Sequence, residues 1–315
     1  MTAYILRRLA MMAPVAVIVT IIVFILIHLT PGDPARAYLG EEATPESVAA
    51  FRHELGLDQP LPVQYFVYLG NLLHGNLGNS IKSQEPVAQA IFERFPATFE
   101  LGLTSLVFAL AVALPAGIVS ALRKDSAAGL VASVAPLVGV SLPNFFLGIL
   151  LILVFGLYLR LLPPGGFTAF AESPIDNLRH LILPAISLGT VSAAINLRLM
   201  RSSLLEALAQ DYVRTARAKG LAARLVTGRH ALRNALIPVV TIVGIQVGLL
   251  LEGAFVTETI FAWPGIGRLA VEGIFMRDYP VVQGVVLVVA LIYMCSSLLV
   301  DVLYVYIDPR ISYSS

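Results

Sequence analysis

Few side chains in this sequence could do chemistry, and most of those lie inside apolar runs. Glu252 stands among Leu, Gly, Ala and Phe. A carboxylate at helix depth in a bilayer costs ~2.5–3.5 kcal/mol on insertion scales and normally faces a cavity or a partner. Glu252 is therefore a candidate for lining a solute pathway; it also stands near the outer end of its helix, where it can reach water. Asn144 and Gln246 join it as pathway candidates. Amides in such surroundings, these two together with Asn196 and Gln283, equally serve to bridge helices. The chemistry open to this set is recognition by hydrogen bonding, not bond cleavage.

The signatures of hydrolytic and nucleotide chemistry are missing. The chain has three lysines, Lys82, Lys124 and Lys219, and none sits in a Gly-x-x-x-x-Gly-Lys-Ser/Thr loop, so it carries no ATPase site of its own. His53-Glu54 is followed at position 57 by Leu57, which breaks a His-Glu-x-x-His zinc pattern, and no Gly-x-Ser-Gly or Gly-x-Gly-Asp motif of an intramembrane protease occurs. Cys295 is the single cysteine and is read as packing, which excludes an intrachain disulfide. The net charge of +1, with basic residues dispersed or flanking apolar runs, excludes nucleic-acid binding.

The elements that must position these residues are membrane spans. Of the 315 residues 57% are hydrophobic and 13% charged, against roughly 25% charged in soluble domains. About 20 apolar residues cross the ~30 Å of hydrocarbon. Leu9–Leu29 meets this, and the PGDPARAYLG that follows lacks a small-x-small cleavage signature, so it is read as a first span and not a cleaved leader. Further charge-poor runs lie at 101–122, 126–159, 181–197, 235–257 and 279–300. The third would be about 51 Å of helix, too long for one span and too short for two. Pro136 and Pro143 divide it into a lead-in and a main span from Asn144 to Leu159. Six spans with both termini cytoplasmic place 13 basic residues inside and 8 outside, as the positive-inside rule requires. Splitting the third run would put the basic cluster Arg198–Arg233 outside. The expected fold is thus an all-α membrane protein with six transmembrane helices. Residues 1–30 hold the amino terminus and first span, 31–98 an external segment, and 99–315 a core domain of five further spans.

Three loops stand apart. In 31–98, Phe66, Leu69 and Leu73 mark an amphipathic stretch suited to lying on the membrane or capping the bundle. The external loop 258–279 carries a Trp-Pro-Gly-Ile-Gly turn. Trp263, Pro264 and Gly265 are candidates for an external gate or partner contact, and Trp263 equally suits the interfacial aromatic belt. The internal loop 198–234 is the most informative. Leu204, Leu208, Tyr212 and Ala216 recur every fourth position, which predicts one helical face. Lys219 and Gly220 then read as a helix end. A docking element for a soluble partner and a solvated basic surface helix both fit this pattern.

The stretch DYVRTARAKGL (211–221), followed by RHALRNALIPVVT (229–241), resembles the cytoplasmic loop of permeases in the dipeptide/oligopeptide branch of bacterial ABC importers. The resemblance continues through LGLDQPLPVQY (55–65), SLPNFFLG (141–148), HLILPAISLG (180–189), ETIFAWPGIGRL (258–269), RDYPVVQG (277–284) and DVLYVYIDPR (301–310). The Glu-Ala-Ala of the wider importer signature is absent ahead of Gly220, a relaxation common in the peptide branch. The resemblance implies a type I ABC importer permease in the bacterial cytoplasmic (inner) membrane, with Tyr212, Ala216, Ala218, Lys219 and Gly220 forming or shaping the coupling element. It implies a second homologous permease, two ATPase subunits that bind ATP and Mg, and an external solute-binding protein, with no cofactor on this chain. Di- or oligopeptides are the implied cargo, with glutathione or chelated nickel as alternatives. From a different class, an ATP-independent secondary transporter or channel subunit predicts inverted-repeat halves and ion-coupling acids. The sequence offers one such acid and no matching helix break.

Overall fold

The computed structural model describes residues 2–29, 39, 43–54, 56–131, 134 and 141–307. Among them the regular elements are helices, with one isolated antiparallel bridge between Asn79 and Pro86. A helix satisfies its own backbone polar groups, which is what lipid demands of a spanning segment. In chain order they are α1 (Thr2–Leu29), α2 (Pro45–Glu54), α3 (Leu61–Leu73), α4 (Val87–Leu122), α5 (Asn144–Leu151) running into a π-helical turn (Ile152–Tyr158), α6 (Pro174–Ala209), α7 (Asp211–Ala218), α8 (Leu232–Ile260), α9 (Ile266–Met276) and α10 (Tyr279–Ile307). Val87–Leu122, Pro174–Ala209, Ala223–Gly248 and Tyr279–Leu298 are long and apolar enough to cross a membrane, and Ala10–Ile25 and Asn144–Tyr158 are shorter apolar helices. Pro136 lies outside the described residues.

Two compact units divide the chain: Met1–Thr98 with Pro264–Met294, and Phe99–Trp263 with Cys295–Ser315. In the second unit α6 packs chiefly against α8 and also against α5. Its 36 residues make about 54 Å of helix, well beyond the ~30 Å that lipid requires. The start is fixed by Ser173, whose hydroxyl accepts the Asp176 N–H at 3.4 Å, with Pro174 in the first turn. α4 crosses α6 where Gly189 has no side chain: a Cβ there would lie 2.5 Å from the Ser105 carbonyl oxygen. Small residues permit such crossings where no hydrophobic drive separates helix from lipid.

In the first unit, α3 lies along α1. Thr20 and Tyr65 share a hydroxyl hydrogen bond of 2.9 Å, and Phe24 meets the Tyr65 ring edge-on at 5.5 Å. Burial pushes the Tyr68 phenol up to about 12. Along the amphipathic stretch Phe66 and Leu73 are exposed and Leu69 is half-buried, while Tyr65 and Tyr68 make the contact with α1. Gln283 of α10 donates to the Val23 carbonyl at 3.2 Å, bridging α10 to α1.

Candidate functional site

The loop 198–234 begins inside a helix. α6 runs on to Ala209, and the chain breaks at Gln210 (φ −72°, ψ 150°) before α7 starts with Asp211 in its first turn. The expected single face of Leu204, Leu208, Tyr212 and Ala216 is therefore split between two helices. Leu204 and Ala216 are buried, Leu208 is half-buried, and Tyr212 is 40% exposed. The face of α7 that turns inward is Val213 and Ala216, three residues apart. Val213 is fully buried in a cluster with Met200, Leu204, Val226 and Val239.

α7 ends as the sequence suggests. Gly220 adopts φ +75°, its N–H donates to the Arg217 carbonyl at 2.9 Å, and the Leu221 N–H reaches the Ala216 carbonyl at 3.4 Å. This pair of bonds is a Schellman cap, which needs a left-handed residue at that position. Past it, Ala223–Leu225 and a π-helical turn (Val226–Ala231) lead into α8. Tyr212, Ala218, Lys219 and Gly220 remain exposed on the outer side. The Tyr212 hydroxyl accepts from the Asn234 amide at 3.0 Å, and Arg214 pairs with Asp211 at 3.2 Å. Of the five candidate coupling residues, four present an outward surface and Ala216 anchors it from below.

Two of the pathway candidates, Asn144 and Gln246, meet α6 at different levels. The Asn144 carbonyl accepts from Ser187 Oγ at 2.9 Å, whereas Gln246 Oε1 accepts from Asn196 Nδ2 at 2.6 Å. Ser187 and Asn196 are nine residues apart on α6, about 13 Å along its axis. Asn196 and Gln246 are both buried, and the remaining atoms of the pair, Asn196 Oδ1 and Gln246 Nε2, have no partner among the described residues. The pair is an α6–α8 bridge with hydrogen-bonding capacity to spare. The side chain of Glu252 lies outside the described residues.

Trp263 corrects an expectation. Its ring is fully buried and stands edge-on to Phe167, at 4.8 Å and 89°. Gly166 N–H donates to the Phe261 carbonyl at 2.8 Å, so the loop after α5 is stitched to this turn. A ring sealed in this way offers no surface to a soluble partner. Gly265 is buried too, and Pro264 is half-buried.

A family model described as the binding-protein-dependent transport system inner membrane component matches residues 113–313. The chain belongs to this family. The permease also matches that system's N-terminal membrane-component model over residues 1–102. It is 44% identical to a dipeptide transport system permease protein of Alkalihalophilus pseudofirmus, over 99% of this chain and 100% of that one. The corresponding Escherichia coli K12 protein is 43% identical over 99% of both chains. A glutathione transport system permease protein of Salmonella typhi is 43% identical over 99% of this chain and 100% of its own. A crystal structure of an amino acid ABC transporter with histidines shares the fold, with a TM-score of 0.50 and 16% identity over 69% of this chain and 94% of that one. The permease is thus a multi-pass inner-membrane protein, a transport subunit without its own ATPase site.

Sequence reasoning missed two features of the permease. One is Val213, which a helix start at Asp211 would have paired with Ala216. The other is Asp278, from the RDYPVVQG stretch. Its buried carboxylate accepts the Ser80 hydroxyl at 2.5 Å and the Ile81 and Lys82 N–H groups at 3.1 and 3.3 Å. That clasp pins the 79–83 loop within the first unit. No local pattern signals a contact across 198 residues of sequence.

Proposed function

We propose that the permease forms half of the translocation pathway of an ATP-driven importer for di- or oligopeptides, as a type I permease with six spans and both termini cytoplasmic. α1, α4, α5 with its π-turn, α6, α8 and α10 are the six spans, and the short Asn144–Tyr158 segment crosses with the help of its flanks. A second permease subunit completes the pathway. Two ATPase subunits bind ATP and Mg, and an external solute-binding protein delivers the cargo.

The observation that carries this reading is α7. It is a short polar helix whose inner face is locked into an apolar core and whose end is fixed by Gly220, so a push on its outer face reaches α6 and α8. Such a push shifts the inward- and outward-facing states only as far as the ATPases hold the two differently. Peptide cargo is supported by the dipeptide permeases at 43–44% identity. The glutathione permeases at 43% support glutathione, itself a peptide, as the second reading. The test is uptake of labelled dipeptide and glutathione into proteoliposomes holding the permease with its co-purified partners. Uptake that needs ATP and the partners supports the proposal. Uptake by the chain alone, driven by an ion gradient, would make it a secondary transporter.

A further inference from the structure

A cavity of about 730 Å³ lies between the end of α4 and the loop that carries α7. Arg123, Lys124 and Arg217 line it, along with a single carboxylate, Asp125. None of the three cations is held in an ion pair among the described residues. Leu122, Leu205 and Leu208 supply an apolar side, and the Thr227 hydroxyl adds a neutral hydrogen-bonding group.

Arg123 and Lys124 directly follow the last turn of an apolar helix long enough to cross the bilayer, which sets them at headgroup depth. Beside them the surface is apolar: Leu122 is 48% exposed, and Leu130 and Val131 are each 64% exposed. A cationic recess opening onto an apolar flank suits a phosphodiester that carries acyl chains. A soluble partner would leave that flank uncovered. We infer that this cavity binds the phosphate headgroup of an inner-leaflet glycerophospholipid, which wedges against Arg217 and couples the membrane to α7. The inference rests on the cytoplasmic placement of α7 proposed above.

The test uses the permease purified with its partner subunits, and native mass spectrometry to count retained phospholipid after exchange with phosphatidylglycerol or phosphatidylethanolamine. Each cation near a headgroup contributes on the order of a fivefold gain in binding, so Arg123→Gln with Lys124→Gln lowers retention about tenfold or more. Arg123→Lys retains the lipid, as does Arg233→Gln, an exposed cation of the same loop outside the cavity. Equal retention by the double variant would mean an unspecific lipid annulus and overturn the inference. Displacement by inorganic phosphate, or a rise in retained lipid when the ATPase subunits are stripped from the complex, would overturn it too, as an ion site or an ATPase seat. Orientation is read separately: Lys124→Cys in a Cys295→Ser chain reacts with an impermeant maleimide in inside-out vesicles. Labelling from the outer side would defeat the topology itself, whereas the lipid measurement can fail with the topology intact.

Discussion

Gly220 sits at φ +75° with nothing within 4 Å of where a Cβ would stand, so its role is conformational and not steric. Gly220→Ala should cost about 1 kcal/mol of local stability, read as faster amide exchange at Leu221 with no change in the α6–α8 core. At the Asn196–Gln246 bridge, either residue changed to Leu strands a buried amide and should cost ~1–3 kcal/mol, while the double change costs less than the sum. Thermal unfolding of the two single variants and the double variant in detergent measures this. His53 and Asp58, 2.7 Å apart and exposed, answer to pH. The hydrogen bond that the His53 Nδ1–H donates to the Asp58 carboxylate, reinforced by that carboxylate's charge, raises His53 above its ordinary 6.5, and the same bond lowers Asp58 below 3.8. A raised histidine contributes below its ordinary value and stops contributing as pH climbs through the raised one. A lowered carboxylate stops contributing as pH falls through the lowered one. The pair therefore holds between those limits. A histidine NMR titration should show His53 above 6.5, and Asp58→Asn should return it towards that value.

α7 is held by two apolar side chains, so one substitution can release it without touching its outer face. Val213→Asp places a carboxylate in the cluster around Leu204 and Val226 and should cost on the order of 3 kcal/mol. The expected result is a folded permease that still binds its partners weakly but whose ATP hydrolysis no longer drives uptake, measured as ATPase rate against transport rate in the same vesicles. Tyr212→Ala removes an outward contact and leaves the anchor, so it should weaken partner binding without unfolding the loop. The end of α7 was legible in the sequence because Lys219-Gly220 is local chemistry. Its start was not: regular spacing of Leu204, Leu208, Tyr212 and Ala216 runs smoothly across Gln210, and only the backbone angle there reveals the break. α9 was hidden in the same way, because Ile266–Met276 is an apolar helix inside what charge alone marked as a loop. Its first N–H, at Ile266, is accepted by Thr98 Oγ1 at 2.8 Å, a contact no local window contains.

For the whole molecule, hydropathy and charge were the most legible signals, since lipid permits little besides helices, and apolar runs near 235–257 and 279–300 became α8 and α10 with extended ends. What sequence could not weigh was burial within a protein that is apolar nearly everywhere. Trp263 looked like an interfacial or partner-facing ring and is sealed against Phe167. Asn196 and Gln246 were each legible as helix-bridging amides, but not as partners of each other. The proposed driven surface of the permease is α7, and the Trp263 turn is structural. The most direct test is site-specific cross-linking of the assembled importer in a Cys295→Ser chain, with single cysteines at Ala218 or at Trp263. Cross-links from Ala218→Cys to an ATPase subunit, changing in yield with ATP, and none from Trp263→Cys to any partner, are the predicted result. Absence of an ATPase cross-link from Ala218→Cys, or a cross-link from it to the external binding protein, would contradict the account.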